Sequence, residues 1–277
     1  MSRVVILHHH IFKNAGSTLD SVLAREFNKD FAEFHTDLSD SGRVYPGQLL
    51  LYLDKYPNIR AVSSHHFFGQ DFYSYLSYVE RNRYAFVDFI LLRHPISRLA
   101  SIYLYYLGVA EGENPLQVYA KNNTFGDFIR YVIDKHPNFS INPQVTIFGG
   151  DRYGVPPTEK HLNRALERMN LATGLGLVEE YDKSMVVAEH FMQPLFPSLK
   201  LHGKSQNVSA RSGIANYDGS LESIRKEIGD EVFKEISRLN ELDIKLWSAV
   251  SEEIERRRSF VPNYEERLKE FKSRVIV

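Results

Sequence analysis

The 277-residue chain contains no cysteine, which excludes disulfides, thiolate metal sites and a cysteine nucleophile. It also has no segment approaching the ~18 apolar residues of a membrane span. The N-terminus runs almost directly into Val4-Val5-Ile6-Leu7, with no basic region ahead of a long apolar stretch, so a cytoplasmic location is expected. Without a secretory signal, the sequons at Asn122, Asn138 and Asn207 read as chance matches. Charge of one sign is not in excess either: 34 Lys and Arg against 35 Asp and Glu leave a net charge of -1. This argues against a globally basic nucleic-acid binder, and any attraction for an anion must be local. Repeats and low-complexity tracts are absent, and no carboxylate cluster has ligand-like spacing, so no metal is expected. What is there is ordinary for a soluble globular protein: 43% hydrophobic and 25% charged residues, enough to bury one large α/β core.

Two segments about eighty residues apart carry the chemistry. In the first, the apolar run Val4–Leu7 leads through His8-His9-His10-Ile11-Phe12 into Lys13-Asn14-Ala15-Gly16-Ser17-Thr18. An amphipathic helix follows, because Leu19, Val22, Leu23 and Phe27 share one helical face. A strand, a short loop and a helix N-terminus form a phosphate cradle. The first N–H groups of a helix lack intrahelical partners and carry partial positive charge, so an anionic oxygen is stabilised there. Lys13 adds a cation, and Ser17 and Thr18 add hydroxyls. A Walker A loop places its lysine after a second glycine, whereas Lys13 precedes Gly16 and no earlier glycine exists, which disfavours an ordinary ATP or GTP loop.

The second segment is Phe89-Ile90-Leu91-Leu92-Arg93-His94-Pro95-Ile96-Ser97-Arg98-Leu99-Ala100-Ser101-Ile102-Tyr103. It reads as a buried strand, a turn, and a helix opened by proline. The pair of motifs, H-I-x-K-x-x-G-[ST]-[ST]-L and R-x-P-x-x-R-x-x-S-x-Y, resembles the 5′-phosphosulfate loop and 3′-phosphate motif of sulfotransferases that use 3′-phosphoadenosine 5′-phosphosulfate (PAPS). The chain is most similar in pattern to the membrane-type and bacterial carbohydrate sulfotransferases that include the heparan sulfate 2-O-sulfotransferases. Further landmarks resemble that family: Ser63-Ser64-His65-His66, Asn142-Pro143-Gln144, the stretch Gly176–Ser184, Asn207-Val208-Ser209, and Glu241–Trp247. Phe12 departs from the pattern, standing where the family often has proline.

Short β-branched or aromatic runs at Val4–Leu7, Ile59–Ser63 and Phe86–Leu92 alternate with helical patterns, which predicts a P-loop-like doubly wound parallel α/β sheet flanked by helices. Helices are predicted over Pro95–Tyr106, Thr124–Asp134, Glu159–Met169 and Asp182–Phe191, with a strand at Leu175–Val178. One domain, residues 1–277, is expected, with a charged helical region over about 218–277 broken at Pro262. The stretch Lys204–Ser220 reads as a connector, and its likeness to the family's loop suggests a lid.

The resemblance implies a PAPS-dependent enzyme that moves a sulfuryl group to a hydroxyl of a small molecule or glycan, leaving PAP (3′,5′-ADP) as product. Lys13 would stabilise the leaving phosphate oxygen; the bland alternative is an exposed lysine at a helix start. Asn14, Ala15, Gly16, Ser17 and Thr18 would hold the 5′-phosphate, with Gly16 admitting the donor to the backbone, although the hydroxyls could equally cap the helix. Arg93 and Ser101 would hold the 3′-phosphate, a group that ATP lacks. Arg98 either reaches the same phosphate or forms an ion pair. Asn207, Ser209 and Arg211 would close over the nucleotide. For the base, His65 is the first candidate and His66 the alternative. Adjacent strand residues point to opposite faces, so His8, His9 and His10 do not form one ligand set, and His10 is expected to pack or hydrogen-bond beside the phosphate loop. The rival readings are a P-loop kinase-like phosphotransferase, which should show the Walker order and a magnesium carboxylate, and a non-catalytic nucleotide-binding protein.

Overall fold

The computed structural model describes residues 2–34, 44–67, 83–110, 112–151, 154–203 and 219–275. Among them, five parallel strands form one sheet: β1 (Arg3–His9), β2 (Phe31–Glu33), β3 (Ala61–Ser64), β4 (Tyr84–Leu92) and β5 (Gly174–Leu177), in the order β2-β3-β1-β4-β5. The central strand, β1, pairs with β3 from Ile6↔Ala61 to His9↔Ser64 and with β4 from Arg3↔Tyr84 to His9↔Ile90. After β1 the chain runs to the edge strand β2, returns to β3 beside β1, then crosses to the other side with β4. Ligands of open α/β sheets bind at such a reversal, outside the carboxyl ends of the strands. The segments after β1, β3 and β4 therefore share one edge.

Residue alternation along β1 assigns its faces. Ile6 packs with Leu19, Val22 and Leu23 of α1 (Gly16–Phe27), whereas Val5 and Leu7 pack with Leu49 and Leu53 of α2 (Pro46–Lys55) and with Val62. Period-two exposure to two helical layers explains the continuous apolar run. Continued along the strand, the same alternation turns His8 toward α1.

The predicted helices are present: α3 (Pro95–Gly108), α4 (Phe125–Lys135), α5 (Glu159–Leu171) and α6 (Tyr181–Met192). Each extends a residue or two beyond the periodic pattern at its C-terminal end. Thr124 is the cap of α4, accepting the N–H of Asp127 at 3.2 Å, rather than its first residue. The charged C-terminal region is helical as expected, with α7 (Glu241–Arg258) ending before Pro262 and a further helix over Tyr264–Val275. Strand β2 escapes sequence reading because it has three residues, none of them buried. No helix among the described residues is long and apolar enough to cross a membrane.

Candidate active site

The loop between β1 and α1 is fixed by backbone conformation. Lys13 (φ 66°) and Ala15 (φ 57°) both lie in the left-handed region, a costly arrangement for residues with side chains. Asn14, between them, holds the curl from inside: its Nδ2 donates to the carbonyl of Leu91 at 2.9 Å and to Oε1 of Gln144 at 2.7 Å. Asn14 thus differs from the expected donor contact, since its side chain is spent tying the loop to β4. Ala15 occupies the N-cap position of α1, and its carbonyl accepts the N–H groups of Thr18 and Leu19. Ser17 is exposed at the rim, and Thr18 is buried beneath it.

Gly16 has a requirement other than the expected backbone approach. A β-carbon at this position would collide with the imidazole of His10, so the missing side chain makes room for that ring. Phe12, which replaces the family's proline, packs its ring against Tyr105 and Phe139, with centroids at 5.4 and 6.0 Å. Aromatic packing steadies the loop where a ring-locked φ would otherwise do so.

The second motif closes on the first. Arg93 follows the end of β4, and its Nη1 donates to the carbonyl of Lys13 at 3.0 Å. Lys13 in turn places Nζ over the ring of Tyr105, 4.6 Å from its centroid. Burial, and secondarily the Arg93 guanidinium, push the Lys13 amine down to about 8. On α3, residues 98, 101 and 105 fall on one stripe at i, i+3 and i+7. Arg98 bonds the carbonyl of Phe12 at 3.0 Å and Tyr105 touches Phe12 and Lys13, so Ser101, between them, faces the same loop. Arg98 is buried, with Nη1 donating to the carbonyl of Phe139 at 3.0 Å and its guanidinium over the Phe139 ring.

Three consecutive histidines lead into the cradle, and the strand sets their directions. His8 and His10 turn toward α1 and grip one carboxylate: Asp20 Oδ1 lies 2.7 Å from His8 Nδ1, and Oδ2 lies 2.6 Å from His10 Nδ1. His8 Nδ1 also lies 3.0 Å from Ser63 Oγ. His9 faces away, to Oδ1 of Asp88 at 3.0 Å. Desolvation works against the Asp20 charge, but the hydrogen bonds from His10 and His8 prevail and hold its carboxyl well below the usual carboxylate range. Burial pushes His8 down. The ligand atoms of His8, His10 and Asp20 lie within 4.8 Å of one another, a grouping that could hold a metal ion. The expectation that the histidine run forms no such set overlooked the i, i+2 pair and the carboxylate opposite it.

Strand β3 ends at Ser64, so His65 and His66 lie in a turn rather than in a strand, and the alternation rule does not separate them. Their surroundings do. His65 is exposed and its ring lies tilted against that of His10, with centroids 3.8 Å apart at 41°. Both line a cleft of about 150 Å³ with Phe12, Arg98, Phe139 and Ile147. His66 is half-buried, and its N–H is bound to Ser64 Oγ at 3.0 Å. Among the described residues, it is not part of that lining. Asn207, Ser209 and Arg211 lie outside the described residues.

Beneath the site, a polar network joins landmarks one hundred residues apart. Gln144 reads both backbone groups of Arg93, accepting its N–H at 3.0 Å and donating to its carbonyl at 2.9 Å. The buried carboxylate of Asp243 accepts the N–H groups of Gln144 and Val145 at 3.1 and 2.8 Å. Burial pushes Asp243 up, and these bonds oppose the shift. Glu179 accepts the N–H of His94 at 2.9 Å and the indole N–H of Trp247 at 3.2 Å. Sequence reasoning missed Asp20, Gln144, Glu179 and Asp243 as supports. For Asp20 a signal existed: a carboxylate set within the apolar stripe of α1, opposite a histidine run.

His94 shapes the turn after Arg93 and is buried, with burial pushing its imidazole down to about 4. Its ordinary value of about 6.5 applies in the unfolded chain, which therefore binds more protons than the fold between these limits. Stability should be whole above about pH 6.5 and fall toward pH 4, by on the order of 2–3 kcal/mol from this residue. Thermal melts across that window should show a shallower decline in His94→Gln than in the wild type.

An anion cradle at the reversal of a parallel sheet places the chain in the class of P-loop-like α/β proteins. Within that class the chain belongs to the sulfotransferase family, whose sequence model matches residues 2–248. It is also similar, at 30% identity over 261 residues, to a protein of Archaeoglobus fulgidus that bears the name "Uncharacterized protein". That alignment covers 90% of this chain and 97% of the relative. Membership supports sulfuryl transfer as the general chemistry.

Proposed function

We propose that the protein is a PAPS-dependent sulfotransferase that moves a sulfuryl group to a hydroxyl, on a carbohydrate or glycoconjugate, by in-line displacement. The observation that carries this reading is the bond from Arg93 to the Lys13 carbonyl, because it brings the two motifs, eighty residues apart, against one loop. The residues fit an adenosine 3′,5′-bisphosphate: a helix N-terminus and Lys13 at one end, and Arg93 with the loop-facing Ser101 at the other. PAPS would supply the activated sulfuryl group. Lys13 bears on the phosphate oxygen where negative charge grows as that group departs. Ser17, Thr18 and the first N–H groups of α1 hold the 5′-phosphate, and Arg93 and Ser101 hold the 3′-phosphate.

His65, exposed at the cleft, accepts the hydroxyl proton of the acceptor, with His66 as the alternative. The rings of Phe12 and Phe139 give the cleft apolar walls on which a sugar ring can rest. The test is transfer of label from sulfuryl-labelled PAPS to a panel of saccharide hydroxyls. Labelled product in the wild type, lost in Lys13→Ala, supports the reading; hydrolysis or silence across the panel opposes it.

A further inference from the structure

Beneath the bond from Arg93 to the Lys13 carbonyl, one buried carboxamide joins the same two motifs a second time. Gln144 is fully enclosed, and its side chain uses its whole hydrogen-bonding capacity. Oε1 accepts from Nδ2 of Asn14 at 2.7 Å and from the N–H of Arg93 at 3.0 Å. Nε2 donates to the carbonyl of Arg93 at 2.9 Å and to Oδ2 of Asp243 at 3.2 Å. An amide offers two acceptor sites and two donors, so this orientation satisfies every partner, and a carboxylate of the same length would not. The Asp243 carboxylate also accepts the backbone N–H of Gln144 at 3.1 Å, which pins the residue at both ends. Asn14 spends its two Nδ2 protons on Gln144 and on the Leu91 carbonyl of β4. With no exposed surface, Gln144 cannot touch a ligand, so any influence it has on the site passes through Arg93 and Asn14.

We propose that Gln144 is a positioning residue that couples the two phosphate subsites, setting the separation of Arg93 from the Lys13 loop to that of one nucleoside bisphosphate. This rests on the PAPS reading of the site. Arg93 follows β4 and the loop precedes α1, so each end can meet a phosphate by itself. A bisphosphate must meet both at once, across a single ribose. Fixed spacing then spares the second contact the cost of ordering its partner. A fully satisfied buried network rigidifies what it joins, and a partly satisfied one does not. Loss of the carboxamide therefore loosens the two ends relative to each other while leaving each phosphate contact in place.

The experiment is calorimetric titration of wild type, Gln144→Met, Asn14→Ala and the double variant with 3′,5′-ADP, 3′-AMP and 5′-AMP. Methionine keeps the length of the side chain and removes its hydrogen bonds; alanine at position 14 cuts the tie to the loop and leaves Gln144 on Arg93. Each single variant should bind 3′,5′-ADP roughly 10–100-fold more weakly, while 3′-AMP and 5′-AMP each change by less than about threefold. The double variant should fall well short of the product of the two losses, because both substitutions cut one connection. A merely structural role would weaken the three nucleotides alike. Equal losses for all three, fully independent losses in the double variant, or undiminished 3′,5′-ADP affinity would overturn the coupling. If Gln144→Met does not fold, Asn14→Ala decides by the same comparison of nucleotides. Failure of the underlying reading looks different, because the wild type itself would then show no preference for 3′,5′-ADP over 5′-AMP.

Discussion

Replacing His65 with alanine is expected to lower turnover by roughly 10²–10⁴-fold while leaving 3′,5′-ADP affinity nearly unchanged. A general base acts on the acceptor's proton and makes no demand on the donor. The wild-type rate should fall on the acid side as a histidine takes up its proton, and that limb should vanish in His65→Ala. His66→Ala is the internal comparison. Its ring is half-buried and its backbone is engaged by Ser64 and Val44, so it should retain most activity. Steady-state kinetics across pH decide between them: activity lost in His66→Ala and kept in His65→Ala would move the role one residue along the turn.

The second large effect belongs to Lys13. Lys13→Ala should reduce turnover by about 10²–10³-fold and weaken 3′,5′-ADP far less, because charge on the bridging oxygen develops mainly in the transition state. The structure adds a pH signature. With its amine pushed down to about 8 by burial and Arg93, Lys13 loses its charge as pH rises through that value, and turnover should fall with it. This alkaline limb should be absent from Lys13→Ala. Unchanged turnover with weakened binding would make Lys13 a positioning residue.

Much of the site was legible because its parts are local. A strand running into Lys13-Asn14-Ala15-Gly16-Ser17-Thr18, and another running into Arg93-His94-Pro95, announce themselves by apolar runs and helix-opening residues. What was not legible depends on pairs distant in sequence. Gln144 and Asp243 read as members of familiar landmarks, but only the fold shows one gripping the backbone of Arg93 and the other holding the turn that carries it. Asn14 reads as a loop residue and proves to be an internal tie. Gly16 reads as a concession to the ligand and proves to be a concession to His10. The histidine run misled in another way. Strand alternation correctly separates His9 from its neighbours, yet places His8 and His10 on one face, where an unremarked carboxylate joins them.

Calorimetry of 3′,5′-ADP against 5′-AMP shows whether the two motifs form one site for an adenosine 3′,5′-bisphosphate. The wild type should bind 3′,5′-ADP much more tightly. Arg93→Ala should erase most of that preference, at a cost of about 2–5 kcal/mol for a charge-paired contact, with 5′-AMP binding little changed. Equal affinities of the wild type for the two nucleotides, or a preference that survives loss of Arg93, would contradict the account.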